Sequence, residues 1–397
     1  MLVTILTVAA LLSPEPVQGA EIDDCQGLFQ AGQFDDCWKQ ADAAITRGAY
    51  GEGWPMLKAH VELAQGKPAD AVTTLQTGLE RYSWSVRLRL LLRRSLRFSG
   101  NAEKVPDLDA EIEKLIDTAP WRYTDAENLV LIGQWRLEQG ADAAMIQEKF
   151  FLRARQNNPS HRLPILALGQ LALDKRDFAL AAEHLNIAAK SFPNDPEILF
   201  SLALAVASAD TETASDLQDH VLNINPNFVP LLLHLAERHF DGERYDESKQ
   251  LIEQVLTIDK QQPDALALRS ALQTILGNIE AAQADRKLAL STWATNPHVD
   301  FTIGRLLSRK YRFAEGATHQ RLALEKHPTF LPAQKQLAED LLRLGQDAEG
   351  WKLVDAAQQA DQYDITLFNL STLKGHVDQF RTLTRDGLIV RMDPVEA

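Results

Sequence analysis

Residues 169–193 read GQLALDKRDFALAAEHLNIAAKSFP, and small, aromatic and proline residues stand at fixed intervals within this stretch. Its landmarks are Gly169, Phe178, Ala181, Ala188 and Pro193. A later stretch repeats them as Gly304, Phe313, Gly316, Ala323 and Pro328, and the one after it as Ala338, Gly345, Gly350 and Ala357. The pattern therefore returns with a period of about 34 residues.

This period, with these landmarks, is typical of tetratricopeptide repeats (TPR), in which each unit is a helix–turn–helix. Two antiparallel helices approach closely only where the facing residues are small. A proline can open the next unit because the first turn of a helix does not use its N–H groups. The sequence predicts an all-α, TPR-type α-solenoid, a right-handed superhelix of about ten helix–turn–helix repeats.

The repeat landmarks divide the chain into predicted segments. An apolar stretch followed by Pro14, Pro16 and small residues is typical of an export signal. The segments are a signal peptide at 1–20, partly degenerate N-terminal TPR repeats at 21–160, regular TPR repeats at 161–364, and a capping helix followed by the start of a further domain at 365–397. In the last segment we expect a helix over 365–380 and a strand at 388–392 without a partner.

Composition restricts the classes of partner. The formal net charge of −14 disfavours binding to nucleic acid, whose phosphates repel an acidic protein. No apolar run reaches the roughly 18 residues that a membrane-spanning helix requires. With the predicted signal, these features indicate an exported protein of the periplasm or cell envelope, with neither a nucleic-acid partner nor a membrane span.

Two cysteines, Cys25 and Cys37, occupy the two small positions that should touch within the first unit. In an oxidising compartment this placement favours a disulfide that clamps the N-terminal hairpin. The alternative is a pair of buried thiols that serve as small apolar residues.

Residue patterns that carry enzymatic chemistry are lacking in the sequence. The ten histidines are scattered, and no His-Glu-x-x-His pair occurs. There is no glycine-rich phosphate loop and no nucleophile elbow. We therefore predict no catalytic residues, no metal ligands, no cofactor and no enzymatic activity.

The repeat register places a group of charged and aromatic residues on the inner face of the ninth and tenth units. The group comprises His298, Phe301, Arg305, Arg309, Lys335, Glu339 and Arg343. Cations on a concave wall suit a peptide carboxylate or an acidic side chain. The alternative is that these are surface charges that balance nearby acids.

The last hundred residues resemble a bacterial family of exported proteins in which a TPR array precedes a gluzincin-type (peptidase MA-like) zinc metallopeptidase domain. The matching stretches are VDFTIGRLLSRKYRFAEGATHQRLALEKHP, LAEDLLRLGQDAEGWKL, YDITLFNLSTL and DGLIVRMDPVEA. The resemblance implies that the chain is the repeat part of such a protein with the peptidase domain missing. It carries over no catalytic residue, because the sequence stops at Ala397 before any zinc-binding helix.

These observations predict an exported TPR module that binds a protein or peptide in its concave groove and has no activity of its own. An alternative is the substrate-docking or scaffold half of a truncated or split zinc metallopeptidase, in which case the partner would be a metallopeptidase domain. A third possibility is a structural array in an envelope complex.

Overall fold

The computed structural model of the protein describes residues 18–396. The predicted signal peptide, residues 1–20, lies outside the described residues except for its last three, which belong to the first helix. The described chain forms ten antiparallel helix pairs, a final helix and a β-hairpin. Two short 3₁₀ turns, Ala102–Lys104 and Pro120–Tyr123, flank the second helix of the third unit.

The first helices of the ten units are α1 (Gln18–Gln30), α3 (Gly53–Ala64), α5 (Val86–Phe98), α7 (Ala126–Glu138), α10 (Arg162–Asp174), α12 (Pro196–Val206), α14 (Val229–Asp241), α16 (Pro263–Ile275), α18 (Pro297–Arg309) and α20 (Leu331–Arg343). The second helices are α2 (Phe34–Thr46), α4 (Pro68–Arg81), α6 (Val105–Thr118), α8 (Ala143–Ile146) continuing through a π-helical turn (Gln147–Leu152) into α9 (Arg153–Asn157), α11 (Phe178–Ser191), α13 (Thr211–Ile224), α15 (Tyr245–Ile258), α17 (Ile279–Ala289), α19 (Phe313–Lys326) and α21 (Asp347–Ala360). The chain ends with α22 (Ile365–Val377), β1 (Arg381–Arg385) and β2 (Leu388–Met392).

Within each unit the two helices cross where small residues face each other. A Cβ added to Gly169 would lie 2.5 Å from Cγ of Leu185, so only glycine allows this approach of α10 to α11. In the seventh unit, Oγ of Ser248 donates to the carbonyl of Ala236 on the facing helix at 2.8 Å. The prediction of an all-α, TPR-like solenoid is confirmed.

The turn between the two helices of a unit contains a residue with positive φ in nine of the ten described units. The residue is glycine in the units with Gly32, Gly66, Gly100, Gly140, Gly277 and Gly345, and it is Arg176, Glu243 or Tyr311 in the other three. Side chains with a Cβ adopt this left-handed conformation at a cost of about 1–2 kcal/mol. The geometry of the turn therefore requires a positive φ at this position even where the residue is not glycine.

We expect Gly345→Ala to lower the free energy of unfolding by about 1 kcal/mol, since its φ is +73° and nothing lies within 4 Å of the added Cβ. Its counterpart one unit earlier, Tyr311→Gly, relieves the same conformation and should not destabilise the protein. Urea titrations followed by circular dichroism would compare the two. An equal loss in both variants would contradict the conformational explanation.

The C-terminal segment corrects one expectation. The expected helix is present as α22, and the run at 388–392 is a strand, but the prediction that this strand lacks a partner is wrong. β2 pairs antiparallel with β1, which Thr382 and Thr384 make more polar than a typical strand. Asp386 and Gly387 both have positive φ, as a two-residue hairpin turn requires.

Two buried carboxylates on α18 and α20 have opposite environments. Asp300, fully buried, lies 2.6 Å from Nε of Arg286, 2.7 Å from Nζ of Lys326 and 2.9 Å from Nδ1 of His319. Burial alone would raise the pKa of Asp300, but hydrogen bonds from these three groups hold it far below its usual range.

Asp340 has no cation among its hydrogen-bond partners. Its Oδ1 accepts from Nε2 of Gln336 at 3.1 Å, and its Oδ2 is buried without a partner. Burial raises the pKa of Asp340 to about 6. An ionised Asp340 therefore destabilises the folded state, whereas an ionised Asp300 stabilises it.

Asp340→Asn should raise the free energy of unfolding at neutral pH by about 1–2 kcal/mol, since the substitution removes a buried charge at similar side-chain size. Because the folded-state pKa exceeds the unfolded value near 3.9, Asp340 makes the wild type less stable as pH rises from about 4 to 6. Urea titrations between pH 4 and 7.5 would show this slope in the wild type and a smaller one in the variant.

The matched control is Asp300→Asn, which leaves three basic groups without their carboxylate and should cost about 3 kcal/mol at neutral pH. The stability that Asp300 contributes is present above its unfolded pKa and is lost as pH falls through the folded value. A destabilising Asp340→Asn at neutral pH would refute the assignment of Asp340 as an unsupported charge.

Candidate functional site: a cavity on the inner face

The first helices of successive units form the inner face of the solenoid, and its curvature brings α14 within reach of α18. Arg305 on α18 donates two hydrogen bonds to Glu237 on α14, at 2.7 and 3.0 Å. Between them, the corresponding position of α16 is Ala271, which is fully buried and too short to separate the two side chains. The ion pair therefore spans two units.

A cavity of about 290 Å³ opens on this inner face. Its lining residues are Pro230, Leu233, His234, Glu237, Asp264, Leu268, Thr302 and Arg305. Half-buried Leu233 and exposed Pro230 supply an apolar floor above the buried Leu268, while the carboxylates and the guanidinium supply a polar rim. An apolar floor with a few polar groups at its edge is the usual composition of a site for a small molecule or a side chain.

The predicted inner-face cations lie among carboxylates. Arg309 donates to Glu237 at 2.9 Å and also pairs with Asp241. Burial alone would raise the pKa of Glu237, but hydrogen bonds and charges from Arg305 and then Arg309 lower it. Glu237 is thus ionised and compensates much of the positive charge of the two arginines.

On α20, Lys335 bonds to Asp364 at 2.5 Å, just before α22 begins. Glu339 is half-buried, and burial raises its pKa despite the charges of Lys335, Arg176 and Arg343. Arg343 is exposed. The predicted positions therefore lie on adjacent inner helices, but as alternating charges rather than a uniformly cationic stripe.

The two aromatic members of the predicted group contact the loop before α20. The ring centroids of His298 and Phe330 are 4.7 Å apart, and those of Phe301 and Phe330 are 5.6 Å apart. The guanidinium of Arg305 lies 5.9 Å from the ring of Phe301. Burial lowers the pKa of His298, so this ring is neutral at physiological pH.

A second polar region lies on the inner face of the second and third units. Burial, followed by the charge of Arg94, lowers the pKa of His60 to about 4. Arg94 itself is exposed. The neighbouring arginines are bound to acids: Arg93 bonds to Glu138 at 2.5 Å, and Arg97 bonds to the same carboxylate at 3.3 Å.

The sulfur atoms of Cys25 and Cys37 lie 3.1 Å apart in the crossing of α1 and α2, and both side chains are fully buried. They are thiols in this structure. The hydrogen bond that Cys37 shares with Cys25, and then burial, raise the pKa of the Cys37 thiol. The disulfide stays a prediction, and the two residues occupy the facing positions that it requires.

Within residues 18–396, no three His, Cys, Asp or Glu side chains converge in a way that could hold a metal ion. No described helix combines the length and apolar character needed to cross a bilayer.

Sequence reasoning missed Glu237, the acid that holds both arginines. Glu237, Ala271 and Arg305 each stand six residues before the positive-φ residue of their unit, so a common register would have grouped them. The register does not show that the curvature of the solenoid brings Glu237 and Arg305 into contact.

No protein-family model matches the chain, and a search of curated proteins finds no match. Solved structures with a similar fold include the APC/C hetero-tetramer Cut9–Hcn1, with 15% identity and a TM-score of 0.49 over 76% of this chain and 58% of that chain. Another is yeast Tom70, with 13% identity and a TM-score of 0.39 over 91% of this chain and 89% of that chain. The chain thus spans less than two thirds of the first of these proteins.

Proposed function

We propose that the protein is a non-catalytic scaffold that binds a peptide or protein segment on its inner face. The observation that carries this proposal is the cavity between α14, α16 and α18, with its apolar floor and its polar rim. Such a cavity accepts one apolar side chain of a bound segment, while the rim engages polar groups beside it.

Positive and negative groups alternate around the cavity, so a carboxylate of the ligand would bind by replacing Glu237 at a guanidinium rather than by attraction to a cationic surface. Arg305 and Arg309 together carry more positive charge than Glu237 alone neutralises, but Asp241 and Asp264 lie nearby. A carboxylate of the ligand would compete with Glu237 for Arg305. Electrostatic recognition of this kind selects the partner and its orientation more than it adds affinity.

The binding test uses peptides selected from a random library on the immobilised wild-type protein, with affinity measured by fluorescence polarisation. We expect Arg305→Ala/Arg309→Ala/Arg343→Ala to weaken acidic peptides by about tenfold or more, because Glu237 and Asp241 then lack their cations and repel the ligand.

The matched control is Lys190→Ala/Lys249→Ala/Lys287→Ala, which removes the same charge from exposed positions on the second helices α11, α15 and α17. This variant should bind like the wild type. Equal affinity and equal salt dependence in both triple variants would remove the inner-face cations from the proposed site.

Export to the periplasm or cell envelope is also proposed, on the strength of the sequence of residues 1–20 and the placement of the cysteines. The relation to a metallopeptidase, as its docking or scaffold half, likewise stays a prediction from the resemblance of the last hundred residues.

If the protein is exported, Cys25 and Cys37 should be oxidised. After denaturation without reductant, protein purified from the native envelope fraction should take up no alkylating agent, and it should take up two alkyl groups after reduction, as mass spectrometry would show. Cys37→Ser should leave one thiol that is alkylated without reductant. Two alkylated cysteines in the unreduced wild type would contradict the disulfide.

A further inference from the structure

Residues far apart in sequence meet where one turn of the superhelix reaches the next. Gly32, in the turn of the first unit, lies against Asn225, so a Cβ on Gly32 would be 2.4 Å from Oδ1 of Asn225. Gly66, in the turn of the second unit, lies in the same way against Asp259, at 2.5 Å from its Oδ1. The two contacts have the same sequence separation, and both partners immediately follow a second helix.

The third unit continues this edge. The ring centroids of Phe98, at the end of α5, and Trp293, in the loop before α18, are 5.7 Å apart at 90°. The guanidinium of Arg97 lies 5.0 Å from the same indole. The turn of the third unit therefore contacts the start of the ninth.

The fifth unit makes the same contact by hydrogen bonds. Nζ of Lys175 donates to Asp361 at 2.6 Å, and the N–H of Ile365 donates to the carbonyl of Lys175 at 3.2 Å. Since Lys175 follows α10 and Ile365 begins α22, these two helices meet end to end. Burial of the Asp361 carboxylate makes this ion pair less accessible to solvent than a surface pair.

We name these contacts the inter-turn seam: Gly32–Asn225, Gly66–Asp259, Phe98 and Arg97 with Trp293, and Lys175 with Asp361 and Ile365. The seam joins the helix–helix turns of four of the first five units to loops that connect later units, one superhelical turn further along the chain. A groove that is open from the side would require a gap between successive superhelical turns, and the seam closes this gap.

From the seam we infer that the inner face encloses a lumen, and that the partner it fits is a single unfolded polypeptide segment that enters along the superhelix axis. The inference rests on the proposed function and specifies the kind of partner. A folded domain cannot reach Leu233 or Phe301 from the side while successive turns are in contact.

The lining agrees with this partner. The residues six positions before each positive-φ turn residue are Gln26, His60, Arg94, Gln134, Gln170, Glu237, Ala271, Arg305 and Glu339. Eight of these nine are polar. Amide, imidazole and charged side chains can bond to the main-chain N–H and C=O groups of an extended segment, which present the same donors and acceptors for any sequence.

The test measures access to the inner face without a partner. A thiol is introduced on the inner face by Arg94→Cys and, as a matched control, on the outer surface by Lys249→Cys; both residues are exposed. Each variant is labelled with N-ethylmaleimide and, separately, with maleimide attached to ubiquitin, a small folded protein. With reductant present the native cysteines are buried thiols, so their labelling by N-ethylmaleimide would report unfolding.

We expect N-ethylmaleimide to label both introduced thiols. The ubiquitin reagent should label the outer site but react about a hundredfold more slowly at position 94, because that reaction must wait for the seam to open. Adding Phe98→Ala, Trp293→Ala and Asp361→Ala removes the side-chain contacts of the third and fifth units, which should open the seam beside position 94 and restore labelling there.

Rapid labelling of position 94 by the ubiquitin reagent in the intact seam would overturn the inference, and so would slow labelling that the three seam substitutions leave unchanged. These outcomes are independent of peptide binding. Peptides that bind although ubiquitin has free access would refute the lumen alone, whereas exclusion of ubiquitin without any peptide binding would refute the proposed function.

Discussion

The close crossing of the two helices within each unit is the constraint on which the rest of the structure depends. At Gly169 no heavy atom of a side chain can fit between α10 and α11, and at Ser248 the hydroxyl bonds directly to the facing backbone. A short separation fixes the angle between paired helices. Repetition of one angle through ten units sets the curvature, and the curvature brings Arg305 to Glu237 and the fifth unit to α22.

Local structure could be predicted from the sequence because its causes are local. The small-residue pairs and the period are sufficient to indicate ten helix pairs, and the facing positions of Cys25 and Cys37 follow from the same register. The β-hairpin was missed although Asp386–Gly387 is a strong hairpin signal, because β1 is more polar than a typical strand. In three units the positive-φ position of the turn is occupied by Arg176, Glu243 or Tyr311 instead of glycine, so the sequence does not indicate the conformation there.

Contacts that depend on accumulated curvature could not be predicted. A small change in the rotation between units, summed over five or six of them, decides whether Lys175 meets Asp361 or another residue. The inner-face charges show the same limit. The register places Arg305 and Arg309 on the inner surface, but only the three-dimensional path shows that Glu237 and Asp241 meet them there.

The hydrogen bond from Ile365 to Lys175 has a consequence for how such a chain can change in length. Most solenoids tolerate gain or loss of a unit, since each unit contacts only its neighbours. Here the removal of one unit from the middle would slide every later loop past its partner and leave Asp361 facing another turn. The number of units between two contacting parts of the superhelix is therefore as constrained as the sequence of any single unit.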